Sequence, residues 1–408
     1  MSQRWSLRIL IFILLILTVV AGYNYFVQPF NQVFEEAPIP TPSPTVVEKP
    51  AQELFFDQLT PRQRVAQMIA APLTLDAVEI ATPSGIFDRS LGDRTSAQDA
   101  EMTALFLEES YGFVTIFGEG LAGDRTQSFI SSLSNQDQPL NSPIVMVDHE
   151  GGSVQRLRGE GFEELPSWKT LCEEERSDRL RILQTSARQL SRVGIDIVLA
   201  PVVDIADDHP ILQDRICSGD PLSVLTAGID FVDAFSKQGV MPVLKHFPGI
   251  GDTTQDLHTD FDKITVSDDS VYLYKYLLGQ YPNIGVMISH VGVVNQYPDT
   301  PCSLSIDCVS ELRKEYPAVL VLSDALEMSS ARLVDDSPDE APLADVAVKA
   351  ATAGVEVLLF GEGVSSEELN EIATALEIQY NNNAIFRDHV DKSAKKIIEL
   401  KHNMQATE

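Results

Sequence analysis

The stretch MPVLKHFPGIGDTTQDLH, Met241–His258, reads as a strand that stops at a reactive end. Its first four residues are apolar without alternation, as in a parallel strand covered on both faces. Lys245 and His246 follow at once, and the chain then turns through Pro248, Gly249 and Gly251. Seven further short apolar runs share this character: Gln67–Pro72, Phe113–Phe117, Ile144–Val147, Asp196–Ala200, Gly285–Ile288, Val319–Leu322 and Val355–Phe360. The gaps between runs are long enough for crossover helices. Ser186–Val193, Ala227–Gln238 and Leu343–Ala353 place apolar residues at helical spacing. Eight strand–helix units in series predict an α/β fold, a single catalytic (β/α)8 TIM barrel. A doubly wound open sheet satisfies the same alternation.

Ionisable residues gather at the strand ends. Asp148 closes the third run, Lys245 and His246 the fifth, His290 follows the sixth, and Asp324 the seventh. Barrels carry their chemistry at the C-terminal ends of strands and on the loops beyond. A charged or imidazole side chain there needs a partner or solvent, so four such ends together point to a site.

Within these segments three patterns carry chemistry. Asp256 and His258 form a D-x-H pair, in which a carboxylate can orient an imidazole and raise its basicity. The same pair would suit an exposed surface loop. Asp324, in VLSDALEM, could attack an anomeric carbon, or simply cap the next helix. DHEGGSVQRLRG, Asp148–Gly159, offers a carboxylate, two glycines that admit close backbone approach, and Arg156, although a solvated turn would look alike.

The composition narrows the class. The chain has 408 residues, 44% of them hydrophobic, enough for one large domain or two ordinary ones. A formal net charge of −30, scattered along the chain, would repel a phosphate backbone and argues against a nucleic acid partner. Cys172, Cys217, Cys302 and Cys308 show neither C-x-x-C nor zinc-ligand spacing. Cys302 and Cys308 are near enough for a small disulfide loop outside the cell, while four free thiols fit equally well. No metal and no organic cofactor is implied.

Arg4 and Arg8 precede an apolar run from Ile9 to Ala21 that continues less purely to Val27. Residues 1–8 are expected as a short cytoplasmic N-terminus and 9–27 as a single-pass transmembrane signal-anchor. Residues 28–52 form a Pro-rich linker, 53–403 the barrel and 404–408 a tail. The positive-inside rule then puts the catalytic domain outside the cell membrane. Signal cleavage and secretion is the alternative.

Taken together, TPRQRVAQM, VDHEGGSVQRL, GIDIVLAPVVDI, DRICSGDP, KHFPGIG with its D-x-H, SHV, PCSLS and LSDALEM resemble glycoside hydrolase family 3. The resemblance is to its single-domain bacterial β-N-acetylhexosaminidase branch, and it runs from Leu59 to about Leu400. It implies Asp324 as nucleophile and His258 as acid/base, with Asp256 as partner. It implies that Asp148, Arg156, Arg215, Lys245 and His246 hold the sugar. The implied reaction is retaining removal of terminal β-linked N-acetylglucosamine from peptidoglycan-derived sugars. Phosphorolysis by the same fold and a non-catalytic wall-binding module are the alternatives. Three positions depart from the family pattern: Ile250 stands where a second His is usual, His149 where Gln is usual, and Ala325 where a second Asp is frequent.

Overall fold

A computed structural model describes residues 3–23, 49–74, 78–82, 85–89, 108–118, 123–135, 137–333 and 340–405. Two compact units are distinguished, Met1–Lys49 and Pro50–Glu408. The second contains eight strands that pair in parallel. They are β1 (Ile69–Thr74), β2 (Phe113–Phe117), β3 (Ile144–Val147), β4 (Ile197–Val198), β5 (Met241–Phe247), β6 (Gly285–Ile288), β7 (Leu320–Ser323) and β8 (Leu358–Leu359). Their order in the sheet is β7-β6-β5-β4-β3-β2-β1-β8. A parallel bridge between Leu322 and Val357, with the Ser323 N–H donating to Val357 O at 2.9 Å, brings the two ends together. The result is a nearly closed, mostly parallel barrel sheet, compatible with a (β/α)8 barrel. An open doubly wound sheet would leave its end strands apart, so that alternative is not the observed one.

All eight expected runs become strands, because each is buried along its whole length or nearly so. Phe113–Phe117 and Ile144–Val147 are buried at every position. The shifts at the edges have local causes. The Gln67 N–H still closes the helix Pro61–Ala66 by donating to Gln63 O, so β1 begins two residues later than the apolar run. Val355 donates to Ala350 O around the left-handed cap Gly354, and β8 is shortened accordingly. The expected stretch Ser186–Val193 falls inside Arg176–Val193, Ala227–Gln238 overruns the end of Pro221–Ser236 by two residues, and Leu343–Ala353 is matched at both ends.

A helix spans Gln3–Gly22, and its apolar part begins at Ile9 after the two arginines. Among the described residues no helix is long and apolar enough to cross a membrane. Residues 24–27 of the expected span, and 28–48 of the linker, lie outside the described residues.

All four cysteines are paired, as Cys172–Cys217 and Cys302–Cys308. The second bridge is the small loop open to expectation. The first joins residues 45 apart, ties the helix Trp168–Glu173 to the segment after Arg215, and had no signal in the spacing. Cross-linking so long a loop removes unfolded-state entropy worth about 2–4 kcal/mol. The double variant Cys172→Ser/Cys217→Ser should lose about that much in urea denaturation at neutral pH. An unchanged midpoint would show that this bridge does not stabilise the fold.

Candidate active site

A cavity of about 430 Å³ opens at the C-terminal ends of the strands. It is lined by all eight residues given catalytic or sugar-holding roles by the resemblance: Asp148, Arg156, Arg215, Lys245, His246, Asp256, His258 and Asp324, whereas His290 is not among its lining residues. Lys245 and His246 lie within β5, which runs on to Phe247 instead of stopping at Leu244.

The floor is an ion network around Lys245, whose side chain is 3% exposed. Its Nζ donates to Asp148 Oδ1 at 3.0 Å and lies 2.6 Å from Glu150 Oε1. Glu150 also accepts two bonds from Arg215, Nε to Oε2 at 2.8 Å and Nη2 to Oε1 at 2.9 Å. This fork-on-carboxylate geometry fixes the guanidinium plane. Burial pushes the Glu150 carboxyl up, but the charges of Arg215 and Lys245 outweigh it and hold the group at about 2. Burial likewise pushes Lys245 down, and Asp148 and Glu150 return it above its ordinary value. Glu150 and Lys245 therefore remain ionised at neutral pH.

His246 is held by Asp204, which sits at the end of PVVDI. Its Nδ1 is 2.7 Å from Asp204 Oδ2, its N–H donates to the same oxygen at 3.2 Å, and the Ile250 N–H donates to Oδ1 at 2.8 Å. The Nδ1 proton therefore points to the carboxylate. At Ile250, where the family pattern has a histidine, it is the backbone that serves the site. Arg156 contributes a buried Nε without a hydrogen-bond partner and places its guanidinium 5.6 Å from the centre of the Phe117 ring.

Asp324 follows β7 directly. Its N–H donates to Ile288 O at 2.9 Å, and its Oδ1 accepts the Ala325 N–H at 2.8 Å. Burial pushes this carboxyl up, but His246, His290, the Ala325 N–H and Lys245 together bring it below the usual value. Burial pushes the His290 imidazole below its ordinary value, against the charge of Asp324 and the bond to Ala325 O. Its Nε2–H donates to Ala325 O at 2.9 Å, so its Nδ1 accepts from the Ser303 hydroxyl at 2.6 Å.

The D-x-H pair stands at the mouth. His258 Nδ1 lies 2.7 Å from Asp256 Oδ1, which also accepts the His258 N–H at 3.0 Å, and the His258 side chain is 68% exposed. Burial pushes Asp256 up, yet the bonds from the His258 N–H and ring hold it below its ordinary value. A shielded carboxylate on the floor thus shares one cavity with a solvent-facing imidazole oriented by its own carboxylate.

Sequence reasoning missed Glu150, Asp204, His290 as a support of the Asp324 turn, and Glu327. Glu150 stood in the quoted DHEGG segment, and Asp204 closed an apolar run, so both had a signal. Glu327 lines the cavity three residues past Asp324. Burial raises its carboxyl despite hydrogen bonds from the Gly361 and Glu327 N–H groups, and the charge of Asp324 adds to the rise. It is the second carboxyl of this loop in place of one at Ala325. His149 is fully buried, pushed down to about 3 by burial and by Arg158, and so is neutral.

The model of the glycosyl hydrolase family 3 N-terminal domain matches residues 62–400. The chain belongs to glycosyl hydrolase family 3. It is 31% identical over 270 residues to beta-hexosaminidase LpqI of Mycobacterium tuberculosis (strain ATCC 25618 / H37Rv), a match covering 63% of this chain and 67% of that relative. The structure is similar to the crystal structure of a beta-N-acetylhexosaminidase from Beutenbergia cavernae DSM 12333. The TM-score is 0.68 at 25% identity, over 84% of this chain and 99% of that one. The M. tuberculosis LpqI structure gives 0.70 at 25% identity, covering 86% and 96%. As a family 3 glycosidase, the chain acts on a carbohydrate.

The buried ion network makes a stability prediction. Glu150→Gln leaves Lys245 and Arg215 without their shared carboxylate and should cost about 3 kcal/mol at pH 7. Glu150 has a folded-state value of about 2 against an ordinary 4.5. Its contribution is therefore complete above 4.5 and fades as pH falls toward 2. Urea midpoints between pH 7 and pH 3 should converge for wild type and Glu150→Gln. A constant gap would refute the assigned linkage.

Proposed function

We propose that the chain is a retaining β-N-acetylhexosaminidase that removes terminal β-linked N-acetylglucosamine. The observation that carries this reading is the joint placement of Asp324 and the Asp256–His258 pair in one cavity. The barrel is read as (β/α)8, with its catalytic groups on the loops after β3, β5 and β7. The hexosaminidase names of the relatives support hydrolysis over phosphorolysis.

The mechanism follows from the hydrogen bonds. Asp324 Oδ1 is engaged by Ala325 N–H, which leaves Oδ2 for C1 of the sugar. Lys245, Arg215, Arg156, Asp148 and His246 are the groups that would grip the hydroxyls and acetamide. His258, protonated and with Nδ1–H directed at Asp256, gives its Nε2 proton to the glycosidic oxygen as that bond breaks. Asp324 forms the glycosyl ester. Water then loses a proton to His258 Nε2, attacks C1 and releases Asp324. A histidine acid becomes neutral as it donates, so no negative charge builds beside Asp324.

Peptidoglycan-derived sugars outside the cytoplasm are the proposed source of substrate. Support for that location comes from the two disulfides, which persist in oxidising compartments.

Two variants test the mechanism. Asp324→Ala should lose about 10⁴-fold or more in turnover while keeping its thermal transition. His258→Ala should slow a β-linked N-acetylglucosamine disaccharide by about 10²–10⁴-fold, with a much smaller effect on glycosylation by a nitrophenyl glycoside, whose leaving group needs no proton. Azide should partly restore the second step. Near wild-type turnover by Asp324→Ala would reject the nucleophile.

A further inference from the structure

The segment that carries His258 leaves the barrel after β5 and is pinned on both limbs. On the outgoing limb, the Ile250 N–H is fixed to Asp204. Thr253 Oγ1 lies 3.0 Å from His209 Nε2 and donates to Ile250 O at 2.9 Å. On the returning limb, Lys263–Ile264 pairs in parallel with Gly292–Val293, and the Gly292 N–H donates to Asp262 O at 3.0 Å. Between these limbs the chain travels from Thr254 to Asp262, with Asp256 and His258 at its crown.

One carboxylate joins the limbs. Asp262 Oδ2 accepts the Thr254 N–H at 2.7 Å, the Gln255 N–H at 3.1 Å and the Thr254 hydroxyl at 3.4 Å. Asp262 Oδ1 accepts the Lys263 N–H at 2.8 Å. Both oxygens are committed, to backbone N–H groups and one hydroxyl, and Asp262 itself does not line the cavity, although Gln255 does. The crown itself is held to the short helix Ser329–Arg332, just beyond Asp324. Ser329 N–H donates to His258 O and Ser330 N–H to Leu257 O, each at 3.2 Å. His258 is thus an exposed side chain on a backbone fixed at its neck and at its crown.

We infer that Asp262 is a positioning residue for the acid/base. It closes the neck of the loop so that the Nε2 face of His258 stays within reach of the glycosidic oxygen above Asp324. The inference rests on the acid/base reading of His258 given above. Neutralising or removing the Asp262 carboxylate frees Thr254 and Gln255, which immediately precede Asp256, and lets the dyad drift without touching the floor of the cavity. Misplacement of a reacting group by about 1 Å can cost about 10²-fold.

The test uses the full chain and two substrates, a β-linked N-acetylglucosamine disaccharide and the nitrophenyl N-acetylglucosaminide. Asp262→Ala should lower kcat for the disaccharide by about 10–100-fold, with the glycosylation rate of the nitrophenyl substrate within about threefold of wild type. Asp262→Asn keeps one acceptor oxygen and should fall between. In a His258→Ala background, adding Asp262→Ala should cost nothing further on either substrate, because the two residues act as one unit. A residue that merely stabilised the fold would lower both substrates alike and would add its loss to that of His258→Ala. Either of those results, with His258→Ala alone still separating the two substrates, overturns the inference and leaves the acid/base reading standing. If His258→Ala fails to separate them, that reading falls and the inference with it.

Discussion

A lysine buried inside the end of a barrel is the constraint around which this site is arranged. Lys245 points from β5 into a space almost closed to water, where an unpaired ammonium would be strongly disfavoured. It is tolerated because Asp148, at the end of β3, and Glu150, two residues later, lie within ion-pair distance. Glu150 then needs more than one cation to remain a carboxylate at full burial, and Arg215 supplies the second. Asp148 and Glu150 follow β3, Arg215 follows β4, and Lys245 lies in β5 itself. Satisfying one buried charge therefore fixes the segments after β3 and β4 against the end of β5. The Cys172–Cys217 bridge acts on the same region, since Cys217 is two residues from Arg215.

The two proposed catalytic groups sit in opposite environments. Asp324 is shielded, and burial alone would make it a weak acid. Neighbouring imidazoles, Lys245 and a backbone N–H reverse that tendency. A half-buried carboxylate kept ionised suits attack on an electron-poor carbon. His258 faces solvent, where proton exchange is fast and water for the second step is at hand. Glu327, close by, is pushed toward its neutral form, so the pocket does not gather a second negative charge next to Asp324.

The barrel was legible because its strands are unbroken apolar runs, and burial on both faces writes itself into composition. The proposed site residues were legible for different reasons: Asp148, Lys245, His246 and Asp324 are ionisable groups at strand ends, conspicuous against that apolar background, Arg156, Asp256 and His258 stood in the quoted loop motifs, and Arg215 came from the family resemblance alone. Asp204 and Glu150 escaped because their roles are relational. Nothing local to PVVDI says that its aspartate will accept from His246 and Ile250, more than forty residues away. The Cys172–Cys217 pair escaped for the same reason.

Holding an exposed histidine in place poses a harder physical problem than holding a half-buried aspartate. Asp324 inherits its position from β7 and from close packing. His258 has no such packing around its ring, so its precision must come from its backbone and its own carboxylate. The chain meets this with polar contacts at three heights: Asp262 across the neck, Asp256 beside the ring, and Ser329 and Ser330 N–H at the crown. The crown contacts come from the helix that follows Asp324 by a few residues. A shift in the loop after β7 would therefore move Asp324 and His258 together and preserve their spacing. That coupling keeps an exposed histidine in register with a half-buried aspartate.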